Sequence, residues 1–165
     1  MRMLLLSSRH PRYMMPLKKW GTQLRQRGWL VTERYPDVFY KEEVLKELTK
    51  CYDIIVYFGN GIPGGWCGYS LIDFTDLQKV RPSRPSHLIV NFCCYSLNRA
   101  RELSLADILV SNSLAKHVAG YEGRVKYTDN LRCLNEFMRQ CLRCKTLQVN
   151  KLIMKRLLPL TYVAM

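Results

Sequence analysis

Two short segments carry the residue types that can do chemistry. In YDIIVYFGNGIPGGW, an apolar run from Ile54 to Phe58 stops at Gly59-Asn60-Gly61. In SHLIVNFCCYSLNRA, a second run from Leu88 to Phe92 stops at Cys93-Cys94. Short continuous apolar runs bounded by turn signals read as buried parallel strands. In open α/β sheets, functional groups gather where such strands end. A thiol ending one strand, beside a polar group ending its neighbour, is the layout of a cysteine-nucleophile site. Cys94 is the candidate nucleophile. Strand alternation turns Cys93 to the opposite face, where a free thiol usually just packs. Asn60 faces Cys94 in this reading. A carboxamide has no titratable proton near neutral pH and cannot serve as general base.

The surrounding residues suggest supporting roles. The N–H groups of Gly61 and Cys94 are placed to form an oxyanion hole. A phosphate-cradling loop is the alternative for the glycines, but no Gly-Lys-Ser/Thr follows, so nucleotide binding is discounted. A plain surface loop is the simplest reading. His10 follows the first strand at the same sheet edge and is the best stand-in base. His87 begins its strand, at the opposite end from Cys94, and His117 is no better placed. Arg9 and Arg12, with His10, supply cations that lower a nearby thiol pKa. Trp66, in a Gly-rich loop, is the aromatic expected over a pocket. Cys141-x-x-Cys144, with Cys133 upstream, lacks a second ligand pair and lies in helical patterns. No metal or other cofactor is expected.

These residues need a scaffold. Met3 to Leu6 reads as a first strand. Pro16 is expected in the first turn of a helix carrying Leu17, Trp20 and Leu24, stopped by Gly28. Trp29 to Thr32 is a short strand. Asp37 is expected to cap a helix through Lys50, with Val44, Leu45 and Leu48 inward. GNGIPGGWCGYS is too rich in Gly for regular structure. Thr75 to Val80 gives a helical turn, and RPSRPS is a loop. Asp107 to Val110 reads as another strand, with Ser111-Asn112-Ser113 capping a short helix to Val118. Thr128 starts a long helix with Leu131, Leu134, Met138, Cys141 and Leu142 on one face. Leu152, Ile153 and Leu157 extend a further helix, and LPLTYVAM ends the chain as a strand. Strands alternating with helices mean an α/β layered fold with a mostly parallel sheet.

The chain has 165 residues, enough for one domain with a real core. It carries 26 Lys+Arg against 13 Asp+Glu, a net charge of +13 spread along its length. Such an excess attracts polyanions or an acidic partner without sequence specificity. No nucleic-acid-binding motif is present, so that attraction should fade with salt. The seven Cys are odd in number and irregularly spaced. With no signal-peptide core and no stretch long enough for a membrane span, they read as reduced thiols of a cytoplasmic protein.

The order of parts resembles the caspase-like cysteine peptidases, a group that includes caspases, gingipains, clostripain and CHAT proteases. In that superfamily His-Gly ends one strand and the nucleophilic Cys ends the next. YFGNGIPGGW is similar to the gingipain and CHAT form, and LIVNFCCYS to the gingipain segment with tandem Cys. The resemblance covers roughly Met1 to Val118. It implies a single caspase-like three-layer α/β sandwich over residues 1–165, acting on a protein or peptide or binding a regulatory partner. Cys94 takes the nucleophile position, Asn60 the His position, and Gly61 the oxyanion glycine. Arg9 and Arg12 fall where caspases bind an acidic side chain. Asn60 departs from the pattern and implies an impaired peptidase or pseudoenzyme. A basic, non-catalytic binding module is the alternative.

Overall fold

A six-stranded sheet with two helical layers forms the body of the chain. In this computed structural model residues 1–35, 41–68, 71–99 and 103–143 are described, with the backbone of 161–164. The order is β1 (Arg2–Ser7), α1 (Pro11–Gln26), β2 (Leu30–Arg34), α2 (Lys41–Leu48) and β3 (Ile54–Phe58). Three short strands follow, β4 (Gly61–Ile62), β5 (Gly65–Trp66) and β6 (Ile72–Asp73), then α3 (Phe74–Leu77). The chain continues with β7 (Leu88–Phe92), α4 (Leu105–Ser111), β8 (His117–Gly120), α5 (Tyr127–Arg143) and β9 (Thr161–Ala164). The large sheet runs β2-β1-β3-β7-β8-β9. Five strands are parallel, and β9 pairs antiparallel with β8 at the edge.

Alternation along the strands sorts two cores. Met3 and Leu5, with Val56, Phe58, Val90 and Phe92, face α1 and α5. Leu4 and Leu6, with Ile55, Tyr57 and Ile89, face α2, α4 and the small strands. Central strands buried on both faces need continuous apolar runs, which is what the sequence has at these positions. The strand order reverses between β1 and β3, so a crevice opens at the carboxyl ends of these strands.

Four expectations are corrected. Asp107 to Val110 is helical, because Ser104 and Asp107 form a capping box: Ser104 Oγ accepts from Asp107 N (3.1 Å) and the Asp107 carboxylate accepts from Ser104 N (2.8 Å). The strand falls instead on His117–Gly120, where a short helix was expected. The Gly-rich segment contains regular structure, strands at Gly61–Ile62 and Gly65–Trp66. Pro63 and Gly64 turn a hairpin between Ile62 and Gly65, and Gly64 has φ +80°, as a type II turn requires. Pro16 lies inside α1, with Pro11 in the first turn. Asp37 and the region Leu152 to Leu157 lie outside the described residues.

Glu47 is a buried charge, 4% exposed, held by Arg34 (2.9 Å), Lys50 (2.9 Å) and the Tyr52 hydroxyl. Burial pushes its carboxyl up, but the Tyr52 and Lys50 hydrogen bonds and the Arg34 charge outweigh that and hold it below 4.5. Burial and Glu47 in turn push Tyr52 up to about 12. A depressed carboxyl stabilises the fold above its unfolded value and loses that contribution as pH falls through the folded value. Glu47→Gln should therefore cost about 3 kcal/mol at neutral pH. It should also flatten the loss of stability below pH 4.5 in denaturant titrations.

Candidate functional site

Ser8 follows β1, Asn60 follows β3 and Cys94 follows β7. Phe58 and Phe92 are partners in the parallel register, so Asn60 and Cys94 each stand two residues beyond a paired position. Both line one open cavity of about 640 Å³ at this edge of the sheet. Sequence reasoning expected the two side chains to share a site, and the structure brings them into one cavity.

The main chain of Asn60 is clamped. Its N–H donates to Ser8 Oγ (2.6 Å), and its carbonyl accepts from the Tyr57 hydroxyl (2.8 Å) and from Cys67 N (3.1 Å). Ser8 Oγ and the Tyr57 hydroxyl are 2.8 Å apart, which closes a ring of hydrogen bonds. Gly59 permits this approach, because a Cβ there would lie 2.1 Å from Ser8 Oγ. The Asn60 side chain is exposed but held. Arg12 Nη2 donates to the Tyr13 hydroxyl (2.8 Å), which donates to Asn60 Oδ1 (2.8 Å). The carboxamide therefore keeps its Nδ2 donors for other partners.

Arg12 is fixed in turn. Its guanidinium lies over the rings of Tyr13 (4.7 Å) and Tyr127 (5.1 Å). Pro16 has no N–H for the Arg12 carbonyl four residues back. The Tyr127 hydroxyl fills that gap at 2.8 Å, tying the start of α5 to α1.

Cys94 is half-buried. Its Sγ meets the Val125 peptide, accepting from N (3.4 Å) and reaching O at 3.7 Å. The next residue, Tyr95, has φ +61°, a left-handed conformation uncommon for a non-Gly residue. The turn that carries the thiol is thus mildly strained, a feature that clusters at functional sites. Cys93 faces the other way and is fully buried, and burial pushes its thiol well above the usual range. Cys51 is partly exposed, and its thiol is lowered by hydrogen bonds to Ser83 and Arg84. Iodoacetamide should therefore label Cys51 and Cys94 well before Cys93, read peptide by peptide by mass spectrometry. Labelled Cys93 beside protected Cys94 would move the accessible thiol by one residue.

Gly61 lies against this turn: a Cβ on it would sit 2.4 Å from Cys94 O. Cys67 N bonds Asn60 O, which makes Gly61 and Trp66 the non-hydrogen-bonded pair of the hairpin. The Gly61 N–H is thus turned away from β5.

The other expected residues do not join the cavity. His10 caps α1, its Nδ1 accepting from Arg12 N (3.1 Å), and does not line the cavity. Arg9 does not line it either. His87 and His117 stand at the starts of β7 and β8, the opposite edge. Trp66 is corrected: it is fully buried, not poised over a pocket. Its Nε1 donates to Asn91 Oδ1 (2.9 Å) and its ring stacks on Tyr57, pinning the small sheet to the large one. Among the described residues no group of His, Cys, Asp and Glu could hold a metal ion, and no helix is long and apolar enough to cross a membrane.

Several lining residues escaped the sequence: Tyr13, Arg124, Lys126, Tyr127 and Asn130. The only available signal was a basic stretch, Arg124-Val125-Lys126, just before a helix start.

No family model and no curated protein matches the sequence. Solved structures do match the fold. The Arg-specific cysteine proteinase gingipain R superposes with a TM-score of 0.68 at 12% identity, covering 86% of this chain and 36% of that one. The complex of RgpB pro- and mature domains from Porphyromonas gingivalis gives 0.67 at 10% identity, covering 88% of this chain and 38% of that one. A further protease gives 0.65 at 14% identity, covering 79% and 30%. The chain spans about a third of the length of these proteins. Its fold is the caspase-like α/β sandwich that these cysteine proteinases share.

Proposed function

We propose that this chain is a caspase-like cysteine endopeptidase domain in which cutting is disabled, a pseudoenzyme that receives a peptide across the ends of β3 and β7. The observation that carries this reading is Asn60. It lines the same cavity as Cys94, its side chain is held by Tyr13, and none of the three His of the chain lines that cavity. Without an imidazole the attacking thiol has no general base and the leaving amine has no acid. The remaining parts still suit a peptide: a Gly61 N–H turned away from β5, the Asn60 Nδ2 donors and a partly accessible thiol.

The test uses the whole chain and a tryptic digest of casein. Mass spectrometry should find no new peptide termini, while the digest slows alkylation of Cys94. Turnover that vanishes in Cys94→Ala would make the chain an active peptidase. If that turnover also vanished in His10→Ala, His10 would be the base. The net charge of +13 favours a second reading, a basic module for polyanions. In that case duplex DNA should bind at about 50 mM salt, lose orders of magnitude by about 200 mM, and leave Cys94 labelling unchanged.

A further inference from the structure

The charged residues that line the cavity are all cations. Arg12, Arg124 and Lys126 line it, and no carboxylate does. Some cations elsewhere are paired: Arg25, Arg34, Lys41, Arg84 and Arg99 each meet an acid within 3.3 Å. Among the described residues, neither Arg12, Arg124 nor Lys126 has such a partner. The nearby acid Asp129 pairs with Arg132 (3.4 Å) and, with Glu122, lines the adjoining groove, which Arg124 and Lys126 also line.

Two further features point to a ligand. The first turn of α5 adjoins the cavity through Lys126, Tyr127 and Asn130, so the positive end of a 17-residue helix adds to the cationic field. Asn130 is 3% exposed and lines the cavity. Its Nδ2 must face the Phe92 carbonyl, to which it donates at 2.8 Å. That leaves Oδ1 buried with no hydrogen-bond partner. A buried acceptor without a partner is uncommon in a folded chain and marks this edge of the cavity as more than packing.

We propose that the cavity takes a phosphorylated side chain of a peptide, with Arg12, Arg124 and Lys126 on the phosphate. This rests on the pseudoenzyme reading and names its ligand class. Three cations with no acid among them match a dianion better than a single carboxylate. Arg12, held over the rings of Tyr13 and Tyr127, presents its remaining guanidinium donors already in place, the arrangement that phosphate recognition uses.

The test compares a degenerate phosphoserine peptide mixture with its serine and aspartate counterparts, inorganic phosphate and single-stranded DNA. The readouts are binding and protection of Cys94 from iodoacetamide at physiological salt. The phosphoserine mixture should protect Cys94 and bind at least about tenfold tighter than the aspartate mixture. Arg124→Ala/Lys126→Ala should bring the two mixtures within about twofold, while retaining serine-peptide binding. Arg27→Ala/Arg143→Ala removes equal charge at the far sheet edge and should leave the preference intact. Equal binding of the aspartate and phosphoserine mixtures overturns the phosphate proposal and leaves the peptide reading standing. Protection by inorganic phosphate as strong as by the phosphopeptides, or stronger protection by DNA, also overturns it. Failure of every peptide to protect Cys94 overturns both readings.

Discussion

Asn60→His should raise hydrolysis of an activated peptide amide by about 10²–10⁴-fold over the unchanged chain, the range a positioned general base contributes. The substitution is favoured by what surrounds it. The main chain at 60 is locked by Ser8, Tyr57 and Cys67, so a new ring would branch from a fixed backbone. The Tyr13 hydroxyl, which now donates to Asn60 Oδ1, would turn to accept from one ring N–H and so leave the other nitrogen unprotonated. The other would be left for the thiol of Cys94. The cations Arg12, Arg124 and Lys126 oppose a further positive charge, which lowers the pKa of the new imidazole below its ordinary 6.5. A base must be neutral, so activity should rise with pH through that lowered value and level off before neutrality. Cys94→Ala on the same background should abolish the gain. An Asn60→His chain as inert as its parent, though folded and alkylated normally at Cys94, would overturn the reading of this site as a disabled endopeptidase.

Most of the scaffold was legible because buried parallel strands leave strong marks. Met3 to Leu6, Ile54 to Phe58 and Leu88 to Phe92 are continuous apolar runs, and each is a central strand. Their endings gave Asn60 and Cys94 directly, since parallel neighbours of equal length finish together. The run Asp107 to Val110 misled because four apolar or capping residues fit a strand or a helix equally. The deciding signal was three residues upstream, in Ser104. Trp66 misled for a different reason. Glycines around it suggested an open loop, but they allow its hairpin to fold flat against Tyr57. The cationic rim stayed hidden because Arg12 and Arg124 are far apart in sequence and meet only through the packing of α1 against the loop before α5. On a chain with 26 basic residues, no composition rule singles them out.

Gly61→Ala should cost about 3 kcal/mol of stability, with Gly123→Ala near zero as the control. A methyl on Gly61 would stand 2.4 Å from the Cys94 carbonyl oxygen, 2.8 Å from Cys93 Sγ and 3.0 Å from Cys93 Cβ. The first of these is backbone in a turn already held by Tyr95 N on Gly123 O (3.1 Å), so it cannot swing aside as a long side chain would. The second is a fully buried thiol packed in the core beneath the sheet. Relief therefore requires the Asn60–Gly61 segment and the Cys93–Cys94 turn to move apart. Gly123 has nothing within 4 Å of its own ideal Cβ, so the same added methyl finds open space. Chemical denaturation of the two variants gives the stabilities, and mass spectrometry of alkylated chains reports on the turn. In Gly61→Ala the protection of Cys93 should fall before global unfolding, because the wedge opens the side of the turn on which that thiol is packed. Equal stability of the two variants, with Cys93 still protected in both, would mean that Gly61 does not hold the two strand ends together.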